Sequence, residues 1–442
     1  EEMLNLLARI PELRVISRTS AFQYKNTDLE IPEIAAQLRV EHVVEGSVRK
    51  AGNTVRITAQ LIHAPTDTHV WSETWDRELD DIFAIQDEIA ARVVDRLRVD
   101  LVGPTPHAET VDPEAYVLFL QADHIMAFGL PSAGREESIA RATDLLERAV
   151  EIEPDYVDAI NELALAYWRA RAYFWGRQPD HPLLAKVMAL NDRAYALDPD
   201  NPTVLAYRGY GLAAEPGKTA AAAALFEKAL TLGPTDDDAL RVGLSFARSI
   251  GRWDTAMRIG EFSTNRDPRC GRCFYQLSQV YRDAGMFEKA REAGQIAQAL
   301  GMRLDFSLAR TSLLEGDPAP MIALWGDQDD EHWQSVSFFA MALYTAGRKA
   351  ESDALMERLI ELYGETNPFE IAAAWAWRGD ADEAFEWLER ALLRDRLQVV
   401  TWNRNPELEP LYEDPRWDEF LRRIERHPDQ LAGIRFDPQL PN

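Results

Sequence analysis

GRWDTAMRIGEFSTNRDPRCGRCFYQLSQVYRDAGMFEKA, residues 251–290, reads as one structural unit followed by the start of its own copy. Gly251 and Gly285 stand 34 residues apart, and so do Ala256 and Ala290, each alanine five positions after its glycine. The strings GRWDTA and GMFEKA therefore mark the same event twice: a glycine turn leading into a second helix. Working outward, the small residues Ala149, Ala194, Ala229 and Ser263 each precede a proline by five positions, at Pro154, Pro199, Pro234 and Pro268, and Ala297 continues the small-residue series. Pro234 and Pro268 repeat the spacing of 34. A small residue suits a close crossing of two antiparallel helices, and a proline closes one helix and opens the next because it has no N–H to continue the ladder.

The spacing and the placement of these residues resemble the tetratricopeptide repeat, whose stacked helix pairs bury a continuous core and expose a surface for partners. Pairs are expected from Pro113 to Glu153, with an insertion at FGLPSAGR (128–135), and then in a second unit where Pro199 − Pro154 = 45, 11 more than one repeat. The added length falls in ARAYFWGRQPDH (170–181), just after Tyr167 and Trp168. Later pairs are expected at 307–325, broken by GDPAP, at 332–363 with Gly347 in the turn, and at 367–393 with Gly379, Ala384 and Ala391 in register. The segment 406–424, flanked by Trp402 and containing Trp417, reads as the cap that a terminal repeat requires. From Glu425 on little suggests stable structure, so 425–442 is expected to be a tail.

Composition bounds the function. The chain has 442 residues, 46% hydrophobic and 28% charged, enough for two or more domains and a large core. Its 74 acidic residues against 48 basic ones leave a net charge of −26. A surface that acidic repels phosphate backbones and anionic lipid, so direct nucleic-acid binding by this chain is not expected. No stretch approaches the roughly 20 apolar residues of a membrane-spanning helix.

Ahead of the repeats the period changes. Glu1 to Arg9 has a helical pattern, RVISR (14–18) reads as a short strand, and IPEIAAQL (31–38) as a helix. Three β-rich runs follow, at 42–50, 54–63 and 69–76, the first two joined by the hairpin turn Ala51, Gly52 and Asn53. Val55, Ile57, Ala59 and Leu61 alternate with Arg56, Thr58 and Gln60, which predicts one buried and one wet face. Ile82 to Arg98 reads as a closing helix and 101–112 as a linker. The fold class is thus α+β: a small α/β domain over 1–100, then an all-α solenoid with its cap over 113–424.

RVISRTSAF, VEGSVRKAGNTVRITAQLI, HVWSETWDRE and IFAIQDEIA resemble the TolB-like amino-terminal domain of bacterial adenylate or guanylate cyclases and of winged-helix regulators related to the acid-stress activator CadC. NPELEPLYEDPRWDEFLRRI (405–424) is similar to the usual end of their repeat arrays. The resemblance implies an output domain upstream, then the α/β domain, then the repeats. It also implies that the α/β domain here lacks its first strand, leaving RVISR without a neighbour. Neither a cyclase nor a winged-helix segment stands within these 442 residues, so neither activity is assigned to this chain.

Candidate chemistry is sparse. Cys270 and Cys273, the only cysteines, form a CxxC at the start of a first repeat helix, where a lowered thiol pKa suits a redox or disulfide pair; two small residues packed at a helix start is the alternative. Zinc needs two further ligands, and no histidine lies nearby in sequence. His63 and His69 face each other across a turn and are weak metal candidates. TDDD (235–238) and DQDDE (327–331) fit helix starts and solvated loops. No GxSxG, P-loop or strand-borne GxGxxG occurs, and no cofactor is expected. The expected partner patch is Tyr167, Trp168, Tyr173, Phe174 and Trp175, with ordinary inter-helix packing of Tyr167 and Trp168 as the alternative.

These readings point to a non-catalytic sensory or scaffold module that docks a protein or peptide in the groove of a helical array, regulating an upstream cyclase or DNA-binding domain. The alternative is a stand-alone structural or assembly subunit of an enzyme complex. The sequence leaves oligomeric state and cellular side open, with the cytoplasm slightly favoured over the periplasm.

Overall fold

The computed structural model describes residues 13–25, 27–51, 54–78, 111–128, 135–174, 182–325 and 332–441, together with Leu7, Glu88, Ile89 and Arg92. Most of the helix expected over 1–9, most of that expected over 82–98, and nearly all of the expected linker lie outside the described residues.

The amino-terminal unit holds α1 (Arg18–Phe22), α2 (Ile31–Leu38) and an antiparallel sheet of β1 (His42–Ala51), β2 (Thr54–His63) and β3 (Thr68–Glu78), in the order β1-β2-β3. Ala51 pairs with Thr54 across the hairpin, and Val55, Ile57, Ala59 and Leu61 are buried, so the alternation on β2 gives one covered face. Trp71 and Trp75 of β3 cover the same core.

The expected RVISR strand does not form. Residues 13–17 have no ladder, and α1 begins at Arg18. Their polar groups find other partners instead. Arg14 donates to the carbonyls of Leu38, Arg39 and Arg266, Arg266 donates to the Val15 carbonyl, and Ser17 bonds Asp267 through both N–H and hydroxyl. Ile16 meanwhile packs on Ile34 and Leu38. The segment is tied to the helical array by partners some 250 residues away in sequence, which local propensity does not register.

Among the described residues eight antiparallel helix pairs follow in succession: α3 (Pro113–Phe128) with α4 (Arg135–Ile152), α5 (Val157–Phe174) with α6 (Pro182–Leu197), α7 (Pro202–Leu212) with α8 (Thr219–Leu232), and α9 (Asp237–Ser249) with α10 (Trp253–Arg266). Then come α11 (Gly271–Asp283) with α12 (Phe287–Ala299), α13 (Asp305–Leu314) with α14 (Ala319–Trp325), α15 (Trp333–Thr345) with α16 (Lys349–Tyr363), and α17 (Pro368–Trp377) with α18 (Ala381–Arg394). The helices α9, α11 and α13 start at 237, 271 and 305, two steps of 34. Gly251 and Gly285 turn between the helices of their pairs with φ of +71° and +75°, a conformation that side chains with a Cβ resist.

Small residues set the helix spacing. Ala256 and Ala290 are buried, and Gly260 and Gly294 are again 34 apart: a Cβ at either would stand 2.8 Å from a methyl of Leu277 or Leu308 of the next pair, so that leucine would have to shift. Close approach at these points lets neighbouring pairs share one core, which runs through two large clusters centred on α7–α10 and on α15–α18.

The chain then turns back on itself through α19 (Arg396–Trp402), a 3₁₀ turn (Pro406–Leu411), α20 (Pro415–Arg423) and α21 (Pro428–Leu431). Trp417, Phe420 and Leu421 bury against the last pairs. The expected unstructured tail after Ile424 is instead a packed strap. Leu431 and Phe436 are buried in the α7–α10 core, some 200 residues earlier in the chain. A short, proline-rich segment has too little apolar area to order itself, and it is ordered here by a surface built elsewhere.

Candidate functional site

Two features of the array present chemistry: a channel lined by the first helices of successive pairs, and the groove that holds the strap. The channel is lined by α9, α11, α13, α15 and α17, and the returning 3₁₀ turn walls one side of a half-open cavity of about 370 Å³. Four guanidiniums reach its wall. Arg241 and Arg248 lie seven residues, two turns, apart on α9, Arg282 occupies on α11 the position of Arg248 one repeat earlier, and Arg310 stands on α13.

Each is held from behind. Arg241 bonds the Asp238 carboxylate at 2.7 Å and the Tyr207 hydroxyl at 2.8 Å. Arg248 and Arg282 share Asp283, the latter at 2.9 Å. Arg310 grips Glu407 of the closing turn with two bonds of 2.6 and 2.7 Å. Burial alone would raise the Asp283 carboxyl, but Arg248, Arg282 and Arg310 together hold it below the usual carboxylate range. Burial, with Arg310 beside it, lowers Arg282. Arg248 Nε is buried with no hydrogen-bond partner. Around these charges stand Phe306, Trp333, Phe338 and Trp402, with polar Gln276 and Gln279.

In the strap groove, Phe436 packs on Phe246 and Phe226, with ring centroids 5.2 and 6.2 Å away, and those two rings stack at 4.7 Å. Gly243 borders the same pocket: a Cβ there would press on Leu230 at 3.1 Å and only touch the Phe436 ring edge at 3.9 Å. The strap is read mostly through its backbone: Arg252 donates to the carbonyls of Leu431 and Ile434, Thr255 to that of Phe436, and the Asp437 N–H donates to Glu227. Arg258 pairs with the Asp437 side chain. At the strap's root, buried Arg426 donates to the carbonyls of Ala213 and Val400 and to the Thr219 hydroxyl. Burial, then Arg396, lowers Arg426 to about 10.

The residues singled out in the sequence fall as follows. Tyr167 is buried among α3–α6, its hydroxyl on Glu147 and its ring under Lys186. Trp168 meets Tyr210 edge-on at 5.9 Å with Arg171 over its ring. Tyr173 and Phe174 end α5, and Trp175 and the side chains of both lie outside the described residues. Cys270 and Cys273 are joined by a disulfide at the start of α11, where Cys270 Sγ also accepts from the Cys273 N–H. The preceding residue but two, Asp267, is the one that holds Ser17.

The His63 ring faces His42, its register partner across the β1–β2 ladder, at 5.3 Å and bonds Thr66, while on the β2–β3 side the register sets His63 opposite Thr68 and His69 opposite Ile62. Asp236 of the TDDD run caps α9, accepting from the Ala239 N–H, while 327–331 lie outside the described residues. Among the described residues no cluster of three or more His, Cys, Asp or Glu is arranged to hold a metal, and no helix is long and apolar enough to cross a membrane. The channel arginines and the strap groove escaped the sequence reading. The spacing of 34 between Arg248 and Arg282 was the available signal for the first.

Successive antiparallel pairs, a 34-residue step and glycine turns define a tetratricopeptide-type repeat array attached to a small three-stranded sheet unit. No family model matches the chain. It is 36% identical over 208 residues to "Putative adenylate cyclase 3" of Rhizobium meliloti, a stretch covering 46% of this chain, and it spans about a third of that relative's length. Among solved structures it is similar to the human IFIT1 dimer with m7Gppp-AAAA, at 14% identity and a TM-score of 0.40, over 70% of this chain and 77% of that one. It is also similar to the Cut9-Hcn1 hetero-tetramer of APC/C, at 15% identity, a TM-score of 0.44 and coverage of 70% and 62%. YrrB, a tetratricopeptide protein with an unusual peptide-binding site, matches at 16% identity and a TM-score of 0.25, over 40% of this chain and 96% of its own. The architecture assigned here rests on the chain's own helix pairs.

Proposed function

We propose that this chain is a non-catalytic binding module whose helical array docks an extended segment of a protein partner, and that occupancy regulates a cyclase in the same polypeptide or complex. The observation that supports it is the strap. The α8–α10 surface already holds an extended segment through four backbone hydrogen bonds and one aromatic anchor, Phe436, the chemistry by which a helical array reads a peptide. The cyclase link is carried by the likeness to the Rhizobium meliloti protein. The amino-terminal unit is taken in this reading as a TolB-like domain, joined to the array through Arg14 and Ser17. Trp168 and the aromatic run Tyr173, Phe174 and Trp175 are the proposed outer contact of the same partner.

The test uses the chain with Phe436→Ala, which frees the groove of its own anchor. A fluorescent peptide of residues 425–442 is titrated by anisotropy and is expected to saturate at about 1–100 μM, while the same peptide with alanine for phenylalanine does not. In a fusion carrying an adenylate cyclase catalytic domain, the first peptide should change cyclic AMP formation and the second should not. Equal binding of both peptides, or none, rules out the groove as a peptide site.

A further inference from the structure

We propose that the channel cavity is a binding site for a small organic anion, a molecule carrying one or two carboxylate or phosphoryl groups beside an apolar part. The cavity is separate from the strap groove and does not depend on the peptide reading.

The first argument is the supply of donors. The chain as a whole carries −26, yet the cavity wall presents four guanidiniums, Arg241, Arg248, Arg282 and Arg310, against two carboxylates, Glu370 and Glu407. Both carboxylates are engaged: Glu407 accepts both bonds from Arg310, and Glu370 accepts from Gln398 at 2.8 Å. Asp238 and Asp283 sit behind the arginines and hold them in place. Asp238, Asp283, Glu370 and Glu407 balance the four guanidiniums, so what the wall offers an anion is a set of positioned N–H donors rather than a net charge.

The second argument is an unused donor. Arg248 gives Asp283 one terminal nitrogen while its Nε, buried, has no partner, although such groups are nearly always satisfied. Arg248 also lines the cavity, and guanidinium forks match carboxylate and phosphate oxygens in pairs, so a shift of this side chain toward a bound anion would satisfy Nε. The third argument is size and lining. About 370 Å³ lies at the small end of ligand pockets, and Phe306, Trp333 and Trp402 line it beside the arginines with apolar ring surface. The charge network also explains why the site is preformed: Arg310–Glu407 bolts the closing turn onto α13, so the walls are fixed before any ligand enters.

Trp333 and Trp402 line the cavity, so their fluorescence reports occupancy. The intact chain is titrated with inorganic phosphate and, separately, with citrate, each at ionic strength matched by sodium chloride, and melting is followed in parallel. Saturable quenching with a rise in Tm at about 1 mM or below is expected for at least one anion. Phosphate alone would assign a phosphoryl group, citrate alone a carboxylate. Gln276→Glu, an isosteric change on the wall, adds a negative charge to the lining, and should weaken binding at least about tenfold with the circular dichroism spectrum unchanged. If neither anion acts beyond the chloride control, or if Gln276→Glu leaves the affinity as it was, the cavity is not an anion site.

Discussion

Glu162 shows how much a single side chain depends on surroundings the sequence does not display. It lies on α5, where burial, with Asp238 adding to it, pushes its carboxyl up to about 7 against the pull of Arg169, Arg241 and Arg272. The unfolded chain releases this proton near pH 4.5, so between about pH 4.5 and 7 the folded state binds more protons and stability falls as pH rises. Glu162→Gln is therefore expected to raise stability at pH 8 by about 1–3 kcal/mol and to change little at pH 4, measured as Tm in the two buffers. A gain of equal size at both values would mean that the carboxyl is not desolvated as described. Arg248 makes a similar point, since its equivalence to Arg282 was legible as a spacing while its orphaned Nε was not.

At the scale of elements, the repeat grammar was readable because it is local. A glycine with positive φ, an alanine five residues on and a proline at the end of the second helix each act within one helix pair, so Gly251, Ala256 and Pro268 announce their roles without reference to the rest of the chain. Replacing Ala256 or Ala290 with leucine should overpack the crossing and cost about 1–3 kcal/mol, read from urea denaturation. Unchanged midpoints in both variants would contradict the close crossings. RVISR was misread for the converse reason: Val, Ile and flanking polar residues suit a strand, but its actual partners are Asp267 and Arg266 at the end of α10.

At the scale of the molecule, the array closes on itself. Asp395 pairs with buried Arg171 at 3.7 Å, Asn403 donates to the Ser249 carbonyl, Glu425 accepts from the Gly217 N–H, and Glu407 reaches Arg310. The segment that returns after α18 is thus bolted by polar groups to parts of the array roughly 100 to 220 residues earlier. Breaking one such buried pair leaves an uncompensated charge, so Glu407→Gln should cost about 3–5 kcal/mol and release the closing turn from α13, seen as a larger radius of gyration by small-angle scattering. An unchanged radius and Tm would show that closure does not rest on this pair.

The sequence by itself determined the helix pairs, their 34-residue step, their turns and the β2 face, because each follows from propensity, periodicity and the conformational limits of glycine and proline over a few residues. Only the tertiary structure decided which segments meet. The strap's Phe436 needs the stacked rings of Phe226 and Phe246, and the cavity needs five helices and a closing turn at once. Such contacts span 100 to 250 residues, and their energy exists only when surfaces built separately come together, so no local pattern records them.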